Sequence, residues 1–193
     1  MRIGIFGGTF DPPHVGHLLA ALGACDALEL DRLIFIPAAA QPLKGRTEAA
    51  TTEHRTAMVE LLAAADVRFS VDRLEMDRGG LSYTADTLLA LRQRWPAGTA
   101  ELVLLLGTDA AAQFPRWKDP GIIQSLARVV VLTRLDESAG ASPGQEAGLE
   151  QLATRRVDVT STEVRERVRT GKPIRGLVPD TVVDYIAQHG LYH

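Results

Sequence analysis

Three short runs in the chain are apolar without polar alternation: Ile3-Gly-Ile-Phe6, Leu33-Ile-Phe-Ile36 and Leu102-Val-Leu-Leu-Leu106. A strand with one face in water alternates apolar and polar residues, whereas a strand covered on both faces stays apolar throughout. These runs therefore call for a sheet buried on both sides. Stretches with helical periodicity separate them, from about Val15 to Leu28, Thr52 to Ala64 and Thr84 to Trp95. Adding Val67–Val71 and Arg128–Leu132 as further strands gives a repeating β-α order. That order predicts a doubly wound α/β fold, a mostly parallel sheet with right-handed crossovers and helices on both faces.

The composition agrees with such a core. Of 193 residues, 46% are hydrophobic and 23% charged, which excludes a disordered or collagen-like chain. Aromatics are only 5%, so Ala, Leu and Val must supply most of the packing. The net charge of −3 argues against a protein that grips nucleic acid by its phosphates. The single cysteine, Cys25, excludes an internal disulfide and reads as a buried small hydrophobe in the first helix. The apolar start is too short for a signal sequence and is interrupted by Gly7-Gly8, and no apolar run is long enough to span a membrane. A cytoplasmic protein without membrane contact is the expectation.

The second half changes texture. Asp136 to Gly148 is rich in Gly, Ser, Ala and acid and reads as a surface loop. Val157-Asp-Val159 reads as a short strand, and helices are expected over Ser161–Arg169 and Pro179–His189. Pro179 suits the first helical turn and Gly190 the stop. The whole chain, 1–193, reads as one domain whose part from 160 to 193 is a small C-terminal helical segment.

The most specific string is G-G-T-F-D-P-P-H-V-G-H, Gly7 to His17, directly after the first strand and opening the first helix. Adjacent glycines allow close approach of backbone to a ligand, and free N–H groups at a helix start favour an anion. His14 and His17 offer ring N–H donors toward one phosphate, and Gly16 removes a side chain that would crowd it. The spacing is not that of G-x-G-x-x-G. No third ligand with metal-site spacing accompanies His-x-x-His, so no protein metal site is expected.

This string resembles the first motif of the nucleotidyltransferase superfamily, the His-x-Gly-His turn. The resemblance implies a Rossmann-like fold, and it puts Thr9, His14 and His17 at reacting phosphates, with Asp11 and the two prolines shaping the turn. Later segments narrow it. Ser82-Tyr-Thr-Ala-Asp-Thr-Leu88, Leu106-Gly-Thr-Asp109, Phe114-Pro-Arg-Trp117, Ser161-Thr-Glu-Val-Arg165 and the tail from Val178 to Tyr192 follow in this order. Together they are similar to the bacterial nicotinate-nucleotide adenylyltransferases, over nearly the whole chain except Asp136 to Gly148.

That resemblance implies transfer of AMP from ATP to nicotinate mononucleotide, with Mg2+ arriving on ATP. It implies catalytic roles for His14, His17, Thr9 and Arg165. ATP contacts are expected from Gly7, Gly8, Phe10, Gly16, Gly107, Asp109, Ser161 and Thr162, and acceptor contacts from Lys44, Tyr83, Thr84 and Trp117.

Several of these have plainer alternatives. Asp109 either accepts from ribose hydroxyls or caps the next helix. Trp117 either stacks on a pyridine ring or belongs to the core. Thr160 and Glu163 match a capping box without any ligand. Two positions depart from the family: Pro13 stands where Ile is common, and Lys118 where an aromatic is common. Among rivals, phosphopantetheine adenylyltransferases share the first motif but lack the Ser82–Leu88 segment and this tail. A dinucleotide-binding module would need no histidine pair, and an oxidoreductase would end its second strand on an acid rather than Pro37.

Overall fold

The computed structural model describes residues 1–40, 49–134, 147–155 and 157–193. Lys44, Arg156 and nearly all of the loop expected over Asp136–Gly148 lie outside the described residues. Six strands form one sheet: β1 (Arg2–Gly8), β2 (Arg32–Pro37), β3 (Phe69–Val71), β4 (Glu101–Gly107), β5 (Arg128–Arg134) and β6 (Glu150–Thr154). Their spatial order is β3-β2-β1-β4-β5-β6, and every neighbouring pair is parallel.

The uninterrupted apolar runs are explained by the pleat. Successive side chains point to opposite faces, so odd and even positions enter different cores. Ile3, Ile5, Leu102, Leu104 and Leu106 pack on one face with Leu88 and Leu91 of helix α4 (Thr84–Arg94) and Ile123 of α6 (Pro120–Leu126). Phe6, Leu33, Phe35, Val103 and Leu105 pack on the other with Ala21 and Ala24 of α1 (Val15–Ala27) and Leu62 of α2 (Thr52–Ala63). A third cluster joins Met58 of α2 to Val164 of α7 (Ser161–Arg169) and to Val182 and Ile186 of α8 (Asp180–Gln188). Cys25 is buried in the second cluster, and burial pushes its thiol up to about 11, as suits an inert packing residue.

Two readings of the sequence are corrected, and three short helices are added. Val157–Val159 is not a strand; the sixth strand is Glu150–Thr154. Among the described residues this strand lies at the sheet edge and pairs with β5 alone, so it lacks the continuous apolar run that marks a central strand. Pro179 is the N-cap of α8 rather than its first helical residue. The short helices α3 (Leu74–Arg78), α5 (Thr108–Gln113) and α6 escape a periodicity search because each is below two full turns. Among the described residues no helix is long and apolar enough to cross a membrane.

The chain reverses its direction of travel across the sheet between β1 and β4, which are neighbours from the two halves of the winding. In such sheets the crevice outside the carboxyl ends of those two strands receives the ligand. Gly7, Gly8 and Gly107 end these two strands.

Leu88 is fully buried between α4 and the sheet. Leu88→Ala is expected to lower the unfolding free energy by roughly 2–5 kcal/mol, measured as the urea midpoint at unchanged slope. A loss below about 1 kcal/mol would contradict the packing described for this face.

Candidate active site

The switch-point crevice is a cavity of about 1110 Å3. That exceeds the roughly 300–1,000 Å3 of ordinary small-molecule pockets. The β1–α1 turn contributes Gly7, Gly8, Thr9, Phe10, His14, Gly16 and His17 to its wall, and the end of β4 contributes Gly107 and Asp109. The start of α4 adds Tyr83 and Thr84, the segment after α5 adds Trp117, and α7 adds Ser161, Thr162 and Arg165. Residues from five separate stretches of sequence thus face one space. Lys44 lies outside the described residues.

His14 is the N-cap residue of α1 and His17 stands one turn in. Their rings stack with centroids 3.8 Å apart at 32°. The His14 backbone N–H donates to Nδ1 of His17 at 3.2 Å. An Nδ1 that accepts leaves the neutral His17 ring with its proton on Nε2. Burial pushes His14 down from 6.5 to about 4, so this ring is neutral at pH 7. Its Nδ1 is buried and no hydrogen bond of ordinary geometry reaches it among the described residues, although the His14 ring faces the His17 backbone N–H in a capping-box arrangement.

The glycines of the turn act on these rings. A Cβ at Gly16 would lie 2.9 Å from His14 Nδ1, so the glycine clears space for His14 itself. A Cβ at Gly8 would lie 2.9 Å from Phe10 Cζ. Phe10 adopts φ 51°, rare for a bulky residue, and its ring is 2% exposed. That ring meets His17 edge-on at 5.0 Å, so Phe10 borders the cavity as backing for His17.

Asp11 holds the turn to the rest of the molecule. Its carboxylate is 5% exposed and accepts from Ala49 N at 2.8 Å, Ala50 N at 3.1 Å and the Tyr192 hydroxyl at 2.8 Å. Arg165 donates to the Asp11 carbonyl at 2.6 Å and to Thr162 Oγ1 at 3.2 Å. Ser161 Oγ donates to the Pro12 carbonyl at 2.8 Å. Thr160 Oγ1 accepts from Glu163 N at 3.1 Å, the first half of the expected capping box.

On the opposite wall, Trp117 is half-buried, with its ring 5.5 Å from Phe114, and also borders the cavity. The two alternatives for this residue are therefore compatible. Asp109 is exposed and makes no capping hydrogen bond; Gly107 occupies the cap of α5. Lys118 binds both carboxylate oxygens of Asp86, at 2.9 and 3.0 Å, and stands 4.9 Å over the Tyr83 ring. Its ammonium thus takes up space beside Tyr83 at the cavity rim.

Sequence reasoning missed three supporting residues. Arg55 is 1% exposed and donates to the carbonyls of Thr9 and Ala38 at 2.8 Å and of Ala39 at 3.3 Å. Glu75 lines the cavity at 7% exposure, accepts from Thr87 Oγ1 at 2.6 Å, and has its pKa raised by burial. Tyr192 reaches Asp11 from the other end of the sequence. Arg55 and Glu75 sit among ordinary helical charges, where no periodic or motif signal marks them.

His14 sets a pH dependence. Its protonated form is disfavoured in the folded state, so its contribution to stability is intact above 6.5 and is lost as pH falls toward about 4. The full loss is on the order of 3 kcal/mol. An NMR titration should find the His14 ring protons unshifted from pH 8 down to about 5.5. A midpoint near 6.5 would contradict the buried neutral ring.

The comparisons with known proteins follow the same lines. Residues 5–167 match the cytidylyltransferase-like family. A curated relative from Gemmatimonas aurantiaca, named a probable nicotinate-nucleotide adenylyltransferase, is 50% identical over 100% of this chain and 92% of its own length. One of the same name from Roseiflexus sp. is 45% identical over 98% of this chain and 97% of its own. Among solved structures, Plasmodium falciparum nicotinic acid mononucleotide adenylyltransferase complexed with NaAD superposes with a TM-score of 0.77 at 16% identity. It covers 99% of this chain and 97% of that one, a likeness of fold.

Proposed function

The chain belongs to the nicotinate-nucleotide adenylyltransferase family, and we propose that it transfers AMP from ATP to nicotinate mononucleotide, releasing pyrophosphate. The observation that carries this reading is the stacked His14–His17 pair at the switch-point crevice, facing the start of α4 across one cavity. A phosphate oxygen of the acceptor attacks the α-phosphorus of ATP. The new phosphoanhydride bond forms as the bond to the β-phosphate oxygen breaks, and pyrophosphate leaves with that electron pair.

His17, through Nε2–H, donates to the phosphates as charge shifts onto the leaving group, and neutral His14 supports the same oxygens. Thr9, with Gly7, Gly8 and Gly16, shapes the phosphate cradle beneath the N-terminus of α1. Ser161, Thr162 and Arg165 border the triphosphate, and Gly107 with Asp109 meets the adenosine ribose. Lys44 is a further phosphate contact in this proposal. No residue needs to form a covalent intermediate; positioning and charge stabilisation supply the rate.

Mg2+ bound to the ATP substrate would supply charge neutralisation at the leaving pyrophosphate. Its fit is to phosphate oxygens and water: among the described residues no three His, Cys, Asp or Glu side chains converge, and the Asp11 carboxylate already accepts three hydrogen bonds.

The acceptor end explains a preference for the acid. The N–H groups at the start of α4, after Tyr83, receive the pyridine carboxylate, while Trp117 stacks on the ring. An amide in that place turns N–H donors toward N–H donors.

Pyrophosphate release tests the assignment, with ATP and either nicotinate mononucleotide, nicotinamide mononucleotide or phosphopantetheine. Turnover is expected with nicotinate mononucleotide at higher kcat/KM than with the amide. Turnover with phosphopantetheine alone would overturn the assignment, and equal efficiency with both mononucleotides would remove the carboxylate argument. His17→Ala is expected to lose ~10²–10³ in kcat with the fold retained, the scale set by removing one transition-state donor. Near-normal kcat in a folded His17→Ala protein would exclude the role given to its ring.

A further inference from the structure

The segment after α7 returns to the reacting turn. The Leu177 carbonyl accepts from Val15 N at 2.9 Å, next to His14. Beyond α8 the chain passes through Gly190 at φ 58° and reaches Tyr192 at φ 68°, left-handed backbone that a bulky residue rarely adopts. Tyr192 packs its ring against the third hydrophobic cluster and donates its hydroxyl to Asp11 Oδ1 at 2.8 Å. Burial raises its pKa well above the usual phenol value, so the hydroxyl remains a donor across the working pH range.

The other two donors to the Asp11 carboxylate are backbone N–H groups, of Ala49 and Ala50. The tyrosine supplies the one side-chain donor that the described residues bring to this carboxylate. Losing it leaves Oδ1 of a buried acid with fewer hydrogen bonds than its desolvation requires. The adjacent carbonyls of Asp11 and Pro12 are pinned by Arg165 and Ser161, so rearrangement at Asp11 passes along the turn to His14.

We propose that Tyr192 is a positioning residue for adenylyl transfer, its hydroxyl fixing the Asp11 carboxylate and, through it, the turn that carries His14 and His17. This rests on the assignment of the two histidines to the reacting phosphates. Tyr192 is not among the residues lining the cavity, whereas Asp11 is, so the tyrosine acts through Asp11. The arrangement makes the reacting geometry depend on the C-terminal segment being docked.

Tyr192→Phe removes the hydroxyl and keeps the ring that packs on the third cluster. Assayed well below its melting transition with ATP and nicotinate mononucleotide, this variant should lose roughly 10–100-fold in kcat, the scale of a small misplacement of reacting groups. The KM for each substrate should stay within about twofold, because the lost interaction acts on the transition state rather than on uniform binding. Arg175→Ala, which breaks an exposed ion pair to Asp180 in the same segment, should leave kcat unchanged. A purely structural tyrosine would lower the melting temperature but leave kcat per folded molecule intact, and that result would overturn the proposal.

Hydrogen exchange supplies a readout independent of turnover. The His14 amide, bound to His17 Nδ1, should exchange about tenfold faster or more in Tyr192→Phe if the turn loosens. Unchanged exchange there would overturn the positioning role. Wild-type protein that fails to use nicotinate mononucleotide would instead overturn the functional reading, and the exchange result would still decide the role of Tyr192.

Discussion

A buried carboxylate must be satisfied by hydrogen bonds, and among the described residues Asp11 accepts three, from two separate parts of the chain. Two backbone N–H groups come from the approach to α2 and one hydroxyl from the segment after α8. Each donor is fixed only if its own element is in place. The carboxylate therefore couples the β1–α1 turn to α2 and to the C-terminal segment. Arg55, reaching from α2 to the Thr9 carbonyl, adds a second tie on the same side. His14 and His17 ride on a turn whose position is set by elements far away in sequence.

The sheet order supplies what this turn needs to act upon. Because β1 and β4 are neighbours, the starts of α1 and α5 open into one crevice, and α4 and α7 close its flanks. Several helix starts and the rings of His14 and His17 border that space. A chain with net charge −3 can consequently present a donor-rich site to two anionic nucleotides. His14 fits such a site: a ring with its proton affinity lowered by burial stays neutral near pH 7.

Much of this is legible in the sequence, for identifiable reasons. The doubly covered strands announce themselves through uninterrupted apolar runs, and the Gly7–His17 string combines glycines, a helix start and two histidines in a spacing that few other functions require. The C-terminal helix Ser161–Arg169 is marked at both ends by its cap and its basic last turn. What stays hidden depends on tertiary context. An edge strand such as Glu150–Thr154 needs no apolar run, and helices of five to seven residues carry no measurable period. The buried roles of Arg55, Glu75 and Tyr192 arise only when distant elements meet. Gly8 and Gly16 are visible as glycines, but the rings of Phe10 and His14 that require them are not.

The central claim is that the site works by holding two phosphates in line, with no enzyme group becoming adenylylated on the way. Stereochemistry at the α-phosphorus tests it most directly. With ATP made chiral at that phosphorus by sulfur substitution, a single direct displacement yields product of inverted configuration. Inversion is the predicted result. Retention would mean two successive displacements through an adenylylated residue, and it would contradict a mechanism of positioning alone.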